Sequence, residues 1–141
     1  VIPKFIISAK KNKNFFLDGM GKTKRSFIHI ADVNNALYKI LNKGIVGETY
    51  HISTNKFINL KELTNEIIAL MKIENKSFLK LSKNDRTGKD KSYLLSSKKI
   101  RNKLKWKDQI SLKNGLIDTI NWVDKNFSII KKLSLKYKHK K

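Results

Sequence analysis

Apolar residues recur along the chain at two periods, which together predict an alternation of helices and short strands. The opening segment, "VIPKFIISAKK", has helical spacing, and Pro3 is acceptable near a helix start. "FFLDGMG" predicts a short apolar strand that ends in a glycine turn. "KRSFIHIADV" alternates at Phe27, Ile28 and Ile30 and predicts a second strand. The apolar positions of the first helix are Ile2, Phe5, Ile6 and Ala9.

The middle of the chain carries helix caps at recognisable positions. Asp32 is predicted to cap a helix along "VNNALYKILNKG", which Gly44 ends. "GETYHIST" is rich in β-branched and aromatic residues and predicts a strand. Asn59, with Glu62 three residues later, predicts a capping box for "LKELTNEIIALMK". The predicted buried face of that helix consists of Leu60, Leu63, Ile67, Leu70 and Met71.

The last third predicts one more strand and two more helices. "KSFLKLS" reads as a strand, and Ser96 or Ser97 is expected to cap "KKIRNKLKW". Ser111 is expected to cap the final helix. The chain is therefore predicted to be mixed α/β, with small sheets and helices more prominent than strands. The inward face of the final helix is predicted to carry Leu112, Leu116, Ile120, Val123 and Phe127.

Length and composition limit the classes of protein that this chain can be. Its 141 residues suit one domain or a large part of one, and 40% apolar residues suffice for a modest core. The absence of cysteine excludes disulfides and thiolate metal sites. No apolar run approaches ~20 residues, so no transmembrane helix is expected. The first residues lack the features of a signal peptide, and we expect an interrupted element and a cytoplasmic location.

The formal net charge of +21 raises the hypothesis of a polyanion-binding protein. Only Arg25, Arg86 and Arg101 are arginine among 32 basic residues, whereas readers of base edges rely on arginine forks. Lysines spread through every segment favour a codon bias, so we expect no specific nucleic-acid or membrane partner. A free-standing basic module binding nucleic acid or another polyanion remains the alternative. Residues 129–141, which hold the densest basic run, are predicted to form a solvated tail.

No complete catalytic set is present in the sequence. The chain lacks GxGxxG, GxSxG and P-loop motifs, and no helical tyrosine stands four residues before a lysine. His29, His51 and His139 lack metal-ligand spacing, and the apolar surroundings of His29 favour a structural role. We therefore predict no catalytic, cofactor-binding or metal-binding residue within this chain.

Three clusters still suggest ligand chemistry. In "DGMGKTKRSF" a glycine turn precedes Arg25 at a strand start, although a hairpin with a surface arginine would look the same. In "DRTGKD", Arg86 and Lys89 flank Gly88 in one turn and form a fair anion trap, although a salt-bridged turn is the alternative. Phe15 and Phe16, just before the glycine turn, are candidates for an aromatic surface that faces a flat ligand, although core packing is favoured for at least one of them.

Five short motifs stand in order along the chain: "IP", "GMGKTKRSFIHIADV", "GETYHIS", "DRTGKD" and "SSKKIRNKLKWK". Together they resemble the C-terminal part of extended short-chain dehydrogenases that act on sugar nucleotides, over about residues 1–125. The similarity is greatest to dTDP-glucose 4,6-dehydratases, and 4-epimerases and decarboxylases share much of the pattern.

The resemblance implies that residues 1–128 form the substrate-binding lobe of a larger enzyme. The missing N-terminal part would be a Rossmann domain that binds NAD and carries the catalytic Tyr-x-x-x-Lys pair, and the parent enzyme would be a homodimer. Arg25 and Arg86 fall on the family's phosphate-contacting arginines, and Lys89 stands where the family has histidine. Phe16 and Leu17 fall on the strand that contacts the base, and Ile2 and Pro3 on the segment near the nucleotide.

The sequence departs from the family pattern at four positions. Thr87 replaces a proline, Ser26 an aspartate, His51 an asparagine and Lys89 a histidine. If Arg25 and Arg86 bind one diphosphate together, their guanidinium groups should lie within roughly 10 Å of each other, given the reach of two such side chains. We also expect no turnover of a nucleotide-sugar by this chain alone, since it carries no acid/base group for the sugar C4 hydroxyl.

Overall fold

The computed structural model describes residues 1–85, 88 and 90–134. In order, the elements are α1 (Ile2–Lys10), β1 (Phe15–Leu17), a 3-10 turn (Asp18–Gly21), β2 (Lys24–Arg25), α2 (Ile30–Lys43), β3 (Ile58–Asn59), α3 (Leu60–Leu70), β4 (Leu79–Leu81), β5 (Ser92–Tyr93), α4 (Lys98–Leu104), α5 (Leu112–Lys125) and α6 (Phe127–Ile130). The predicted mixed α/β class, with helices dominant, is confirmed.

Two small sheets hold the strands. β1 pairs in parallel with β4, with Phe16 opposite Lys80. In the second sheet β2 is central, antiparallel to β3 and parallel to β5. Both neighbours of β2 come from later in the chain, so Arg25 is flanked by residues that sequence proximity does not bring to it.

The main core lies between α1, β1, α3 and α5. Phe5, with no exposed surface, stacks edge-on against Phe15 at 5.0 Å between ring centroids and lies 5.6 Å from Phe78. From α5, Leu116 and Val123 are buried and Ile120 packs against them, which confirms the predicted inward face. Leu63 and Ile67 of α3 are fully buried, as their helical spacing predicted. Burial of these apolar faces is the main favourable contribution to folding.

A second, smaller core surrounds Trp106, and we call it the Trp106 cluster. Its buried members are Ala36 of α2, Ile100 and Leu104 of α4, and Trp106 itself. Tyr50 and three isoleucines are partly buried against it: Ile28, Ile40 and Ile52. This cluster joins α2 and α4 to the segment between α2 and β3.

Most predicted helix starts are confirmed. Asn59 and Glu62 form a complete capping box, with the Glu62 amide donating to Asn59 Oδ1 at 2.8 Å. The Ser111 hydroxyl accepts from the Asn114 amide at 3.2 Å and caps α5. Ser97 precedes α4, but its hydroxyl accepts from Arg101 Nε at 2.8 Å and makes no capping bond.

The predicted start of α2 is wrong by three residues. His29 is the N-cap, and its Nδ1 accepts a hydrogen bond from the Ala31 amide at 3.2 Å. Asp32 lies inside the first turn with its carboxylate directed at the chain before α5, where it accepts from the Gln109 and Ile110 amides at 2.9 and 3.0 Å. A tertiary interaction therefore uses the carboxylate that local sequence assigned to a cap.

Two predicted strands differ from the structure. The strand predicted along "KRSFIHIADV" is confined to Lys24–Arg25, because β3 and β5 pair with those two residues only. "GETYHIST" is not a strand, and no strand in the described ranges pairs with it.

The predicted division after residue 128 stays a prediction. Ile130 of α6 is buried in the main core, and residues 135–141 lie outside the described part.

Candidate functional site

A left-handed turn follows β1 and lies against the start of the "DRTGKD" loop. Gly19 and Met20 have φ of 60° and 56°, a conformation that glycine adopts without strain. The Gly19 amide donates to the Asn84 carbonyl at 3.0 Å, and the Met20 amide donates to the Ser82 carbonyl at 2.9 Å. A Cβ at Gly19 would overlap the carboxylate of Asp85. A larger residue at position 19 would therefore combine a positive φ with displacement of the Asp85 side chain.

Arg25 reaches the other end of the same loop. Its Nη1 donates to the Lys24 carbonyl at 2.7 Å, and its Nη2 donates to the Asp90 carbonyl at 3.1 Å. The Lys24 amide donates to the Lys91 carbonyl at 2.9 Å, which holds the chain after the loop beside β2. The guanidinium is half-buried and oriented by backbone rather than by a carboxylate.

The glycine turn and Arg25 thus lie at opposite ends of the loop that spans residues 85–90. Arg86 and Lys89, the other two predicted diphosphate ligands, lie outside the described residues, as does Thr87. The meeting of Arg25 with Arg86 therefore stays a prediction. What the fold does bring together is Arg25 with the Asp90 carbonyl, 65 residues later in sequence, and the glycine turn with the Ser82 and Asn84 carbonyls.

The predicted base-contacting residues face opposite sides of β1. Phe16 is 62% exposed, whereas Leu17 is 3% exposed and belongs to the main core. The alternation follows directly from strand geometry. Only Phe16 presents an aromatic side chain to solvent at this strand, and Leu17 anchors the strand beneath it.

Ile2 and Pro3 begin α1. Pro3 is exposed in the first turn, where its missing amide proton costs nothing. Ile2 is half-buried and lines a cavity of about 230 Å³ together with Phe27, His29 and Leu116. The cavity is therefore shared by the start of α1 and the segment that follows β2.

The histidines of the described chain have structural or exposed positions. His29 caps α2 through Nδ1, while its Nε2 lies 3.7 Å from Asp118 Oδ2. An accepting Nδ1 requires the tautomer with hydrogen on Nε2, a proton that Asp118 can attract. His51 is exposed. In the part of the chain that the structure describes, no three acidic or histidine side chains form a metal site.

Sequence reasoning missed a polar network beside the Trp106 cluster. Arg101 Nη2 donates to Asp108 Oδ1 at 2.6 Å and to the Ser53 carbonyl at 3.0 Å, and the guanidinium lies 4.9 Å from the Trp106 ring centroid. Burial works to raise the pKa of Asp108, but hydrogen bonds from Arg101 and Thr54 outweigh it and hold that pKa below its ordinary range. In the sequence, the only signal of this network was Arg101, a third arginine in a lysine-rich chain.

A groove of about 900 Å³ borders this network, between the starts of α3 and α5. Phe27, Thr54, Glu62, Asp108 and Lys113 are among the residues that line it. Arg25 and Phe16 are not among them, so this groove is separate from the surface beside the glycine turn.

Along the described residues, no helix is both long and apolar enough to cross a membrane.

Solved structures that share this fold include a dTDP-glucose 4,6-dehydratase and the enzyme WbmF. The dTDP-glucose 4,6-dehydratase of Bacillus anthracis, determined with NAD, is 30% identical with a TM-score of 0.84, over 94% of this chain and 42% of its own. The Bordetella bronchiseptica enzyme WbmF, determined with NAD+ and UDP, is 25% identical with a TM-score of 0.77, over 93% of this chain and 38% of its own. The architecture is therefore that of one region of NAD-binding dehydratases and related enzymes.

Sequence comparison identifies the family. The model of the GDP-mannose 4,6-dehydratase family matches residues 1–119, and the chain belongs to that family. It is 36% identical over 131 residues to the dTDP-D-glucose 4,6-dehydratase of Mus musculus, covering 90% of this chain. The chain spans about 37% of the length of that relative. The resemblance drawn from the five motifs is thereby confirmed.

Proposed function

We propose that this chain is the substrate-binding part of an NAD-dependent nucleotide-sugar 4,6-dehydratase or epimerase. Family membership and the mouse and bacterial relatives support that class of enzyme. The chain has no glycine-rich dinucleotide loop, so NAD would be held by the part of the enzyme that it does not span. We also propose that the parent enzyme is a cytoplasmic homodimer.

The orientation of Arg25 is the observation that carries the proposal. Two of its five N–H donors are used by the Lys24 and Asp90 carbonyls, which aim the guanidinium without neutralising its charge. Within the described residues no carboxylate pairs with it at salt-bridge distance, in contrast to Arg101 and Asp108. A planar cation fixed in this way is suited to a diphosphate, which accepts two parallel hydrogen bonds.

The neighbouring surface suits the rest of a nucleotide. Phe16 is exposed on β1, immediately before the glycine turn, and an aromatic face there would stack on a base. Leu17 would act through the strand that it anchors, and Ile2 and Pro3 would border the nucleotide from α1. Arg86 and Lys89 would complete the diphosphate clamp from the loop whose two ends contact the glycine turn and Arg25.

The chemistry would take place outside this chain, with the sugar held by it. NAD, held by the part of the enzyme that this chain does not span, would supply reversible hydride-transfer chemistry at C4 of the hexose. The residues of this chain would bind the diphosphate and so present C4 in one orientation, a positioning effect that lowers the barrier to reaction. We accordingly expect no 4-keto product when dTDP-glucose and NAD are added to this chain alone.

Titration calorimetry with UDP and dTDP tests the role of Arg25. Arg25→Ala should weaken binding by about 10- to 100-fold, as expected for loss of charge-assisted hydrogen bonds of ~1.5–3 kcal/mol. Arg25→Lys should recover only part of that loss, since an ammonium lacks the fork. In the parent enzyme, Arg86→Ala should likewise weaken nucleotide-sugar binding and leave NAD binding unchanged.

Lys22→Ala is the matched control, since Lys22 is an exposed cation at the end of the same glycine turn. It should change the affinity less than twofold. Equal losses for Lys22→Ala and Arg25→Ala, together with a steep fall of affinity with salt, would instead support the basic module that binds polyanions without specificity.

A further inference from the structure

Arg25 is the last residue of a very short strand. β2 consists of Lys24 and Arg25 only, paired with β3 on one side and with β5 on the other. Such short strands form few ladder bonds, so the position of β2 depends on what holds its two ends. At the beginning, the Lys24 amide is bonded to the Lys91 carbonyl. At the other end, the residue that follows Arg25 is Ser26.

The Ser26 hydroxyl ties the end of β2 to a residue that is distant in sequence. It lies 3.1 Å from the Ser53 hydroxyl, 27 positions later. Ser53 donates its single hydroxyl proton to the Thr54 carbonyl, also at 3.1 Å, so Ser26 is the donor in the bond between the two serines. Ser53 is 3% exposed and Ser26 is half-buried, so water competes little for this bond.

Ser53 is itself fixed by Arg101. The Ser53 carbonyl accepts from Arg101 Nη2 at 3.0 Å, and the same nitrogen donates to Asp108 Oδ1 at 2.6 Å. Arg101 Nε donates to the Ser97 hydroxyl at 2.8 Å, and the guanidinium lies 4.9 Å from the centroid of the Trp106 ring. Because the guanidinium fork is planar and rigid, these partners together fix its orientation and, with it, the position of Ser53.

A continuous series of hydrogen bonds therefore runs from the Trp106 cluster to β2. It leads from Asp108 to Arg101, from Arg101 to Ser53 and from Ser53 to Ser26. Ser26 is joined to Arg25 by the peptide bond. The series thus ends at the backbone of the residue whose guanidinium is the candidate diphosphate ligand.

From this geometry we infer that Ser26 is a positioning residue for Arg25, and that it acts by tying the end of β2 to Ser53 and Arg101. The inference rests on the proposed function, because it takes the diphosphate as the ligand that Arg25 is positioned to bind. The alternative is that the two serines only satisfy buried polar atoms. In that case Ser26→Ala would lower stability and leave the motion of the Arg25 side chain unchanged.

Nuclear magnetic resonance of isotope-labelled arginine in the 141-residue chain tests the inference. Arginine is scarce in this chain, so the Nε–Hε signals are well separated, and the signal of Arg25 is the one that disappears in Arg25→Lys. The order parameter of that signal measures side-chain motion on the picosecond-to-nanosecond scale. In Ser26→Ala we expect it to fall by about one third, the difference between rigid and flexible groups.

Two further variants test the bond between the serines from both ends. Ser26→Thr keeps the hydroxyl and should keep the order parameter of Arg25. Ser53→Ala removes the acceptor and should lower the order parameter as much as Ser26→Ala does. The double variant, with alanine at both positions, should be no lower than either single variant, because each of them removes the same bond.

Ser96→Ala is the matched control, since Ser96 is an exposed serine beside Ser97. It should leave the order parameter of Arg25 unchanged. The Arg101 signal is the internal reference, because Arg101 keeps its bonds to Ser97 and Asp108 in Ser26→Ala. An unchanged Arg25 signal in Ser26→Ala and Ser53→Ala would overturn the inference. So would an equal fall at Arg101, which would indicate loosening of the whole fold, or a fall in Ser26→Thr as large as in Ser26→Ala.

UDP binding separates this inference from the proposed function. Ser26→Ala should weaken UDP binding by about three- to tenfold, and it should have no further effect when Arg25 is already alanine. A more mobile Arg25 in Ser26→Ala, with no effect of Arg25→Ala on UDP affinity, would refute the diphosphate site alone. An Arg25-dependent UDP affinity with an equally rigid Arg25 in Ser26→Ala would refute the positioning role alone.

Discussion

The main core and the Trp106 cluster are stabilised in different ways. The main core is built from large apolar side chains such as Phe5, Leu63 and Val123, all fully buried. The Trp106 cluster has four buried apolar residues and depends on polar bonds around them: Trp106 Nε1 donates to the Asp32 carbonyl at 3.2 Å, and Arg101 bonds Asp108 and Ser53.

This difference separates two kinds of information in the sequence. Burial of apolar surface is non-directional, so the spacing of apolar residues predicts it. Buried polar bonds require exact partners, and these partners are 74 to 78 residues apart for Asp32. In the described chain no buried side-chain nitrogen or oxygen lacks a partner, so the polar cluster is fully satisfied despite its small apolar content.

The largest expected effect is in the main core. Phe5→Ala should lower the free energy of unfolding by about 3–5 kcal/mol, because it removes a fully buried ring between Phe15 and Phe78 and leaves a cavity. Urea denaturation measures the change. Phe16→Ala, at the exposed neighbour on β1, should change stability by less than ~0.5 kcal/mol. Similar losses for the two variants would contradict the burial of Phe5.

A smaller loss is expected in the Trp106 cluster. Asp32→Asn should cost about 1.5–3 kcal/mol, because an amide accepts through one oxygen only and places an N–H group against the Gln109 or Ile110 amide. Asp118→Asn, at an exposed carboxylate, is the control and should be nearly neutral by the same denaturation assay. A neutral Asp32→Asn would contradict a stabilising role for the bonds from the Gln109 and Ile110 amides to the Asp32 carboxylate.

The smallest expected effect is on the pH dependence of the free energy of unfolding, to which the Arg101–Asp108 pair contributes. The folded pKa of Asp108 lies below its ordinary value, since the hydrogen bonds from Arg101 and Thr54 outweigh burial. The unfolded state therefore binds the proton more tightly, and this contribution to stability is complete above about pH 4 and is lost as pH falls through the folded pKa. We expect Asp108→Asn to lower stability by about 1 kcal/mol at pH 7 and to flatten the decline below pH 4.

Thermal melting between pH 2.5 and pH 7 measures that decline. Asp118→Asn again serves as the control and should keep the slope of the unaltered protein. If the melting temperature declined below pH 4 equally in Asp108→Asn and in the unaltered protein, the coupling of Asp108 to Arg101 would be contradicted.

The candidate site was predictable as far as it depends on local turns. Two glycines before an arginine indicated the turn and a strand at Arg25, and both are present, although Arg25 is the last residue of the two-residue β2 and not its start. The contact between Arg25 and the Asp90 carbonyl was not predictable, because it depends on the parallel pairing of β2 with β5. Parallel strands are joined through long connections whose pairing is a tertiary property.

By itself the sequence determined the helices, their caps at Asn59 and Ser111, the inward face of α5 and the family. These depend on the periodicity of apolar residues and on hydrogen bonds across a few positions, which local sequence contains. Tertiary structure alone decided that Asp32 holds the chain before α5 instead of capping α2, and that residues 48–53 are no strand in this chain. A carboxylate bonds the donors that the fold presents to it, and a strand exists only where another strand supplies the hydrogen bonds that its backbone requires.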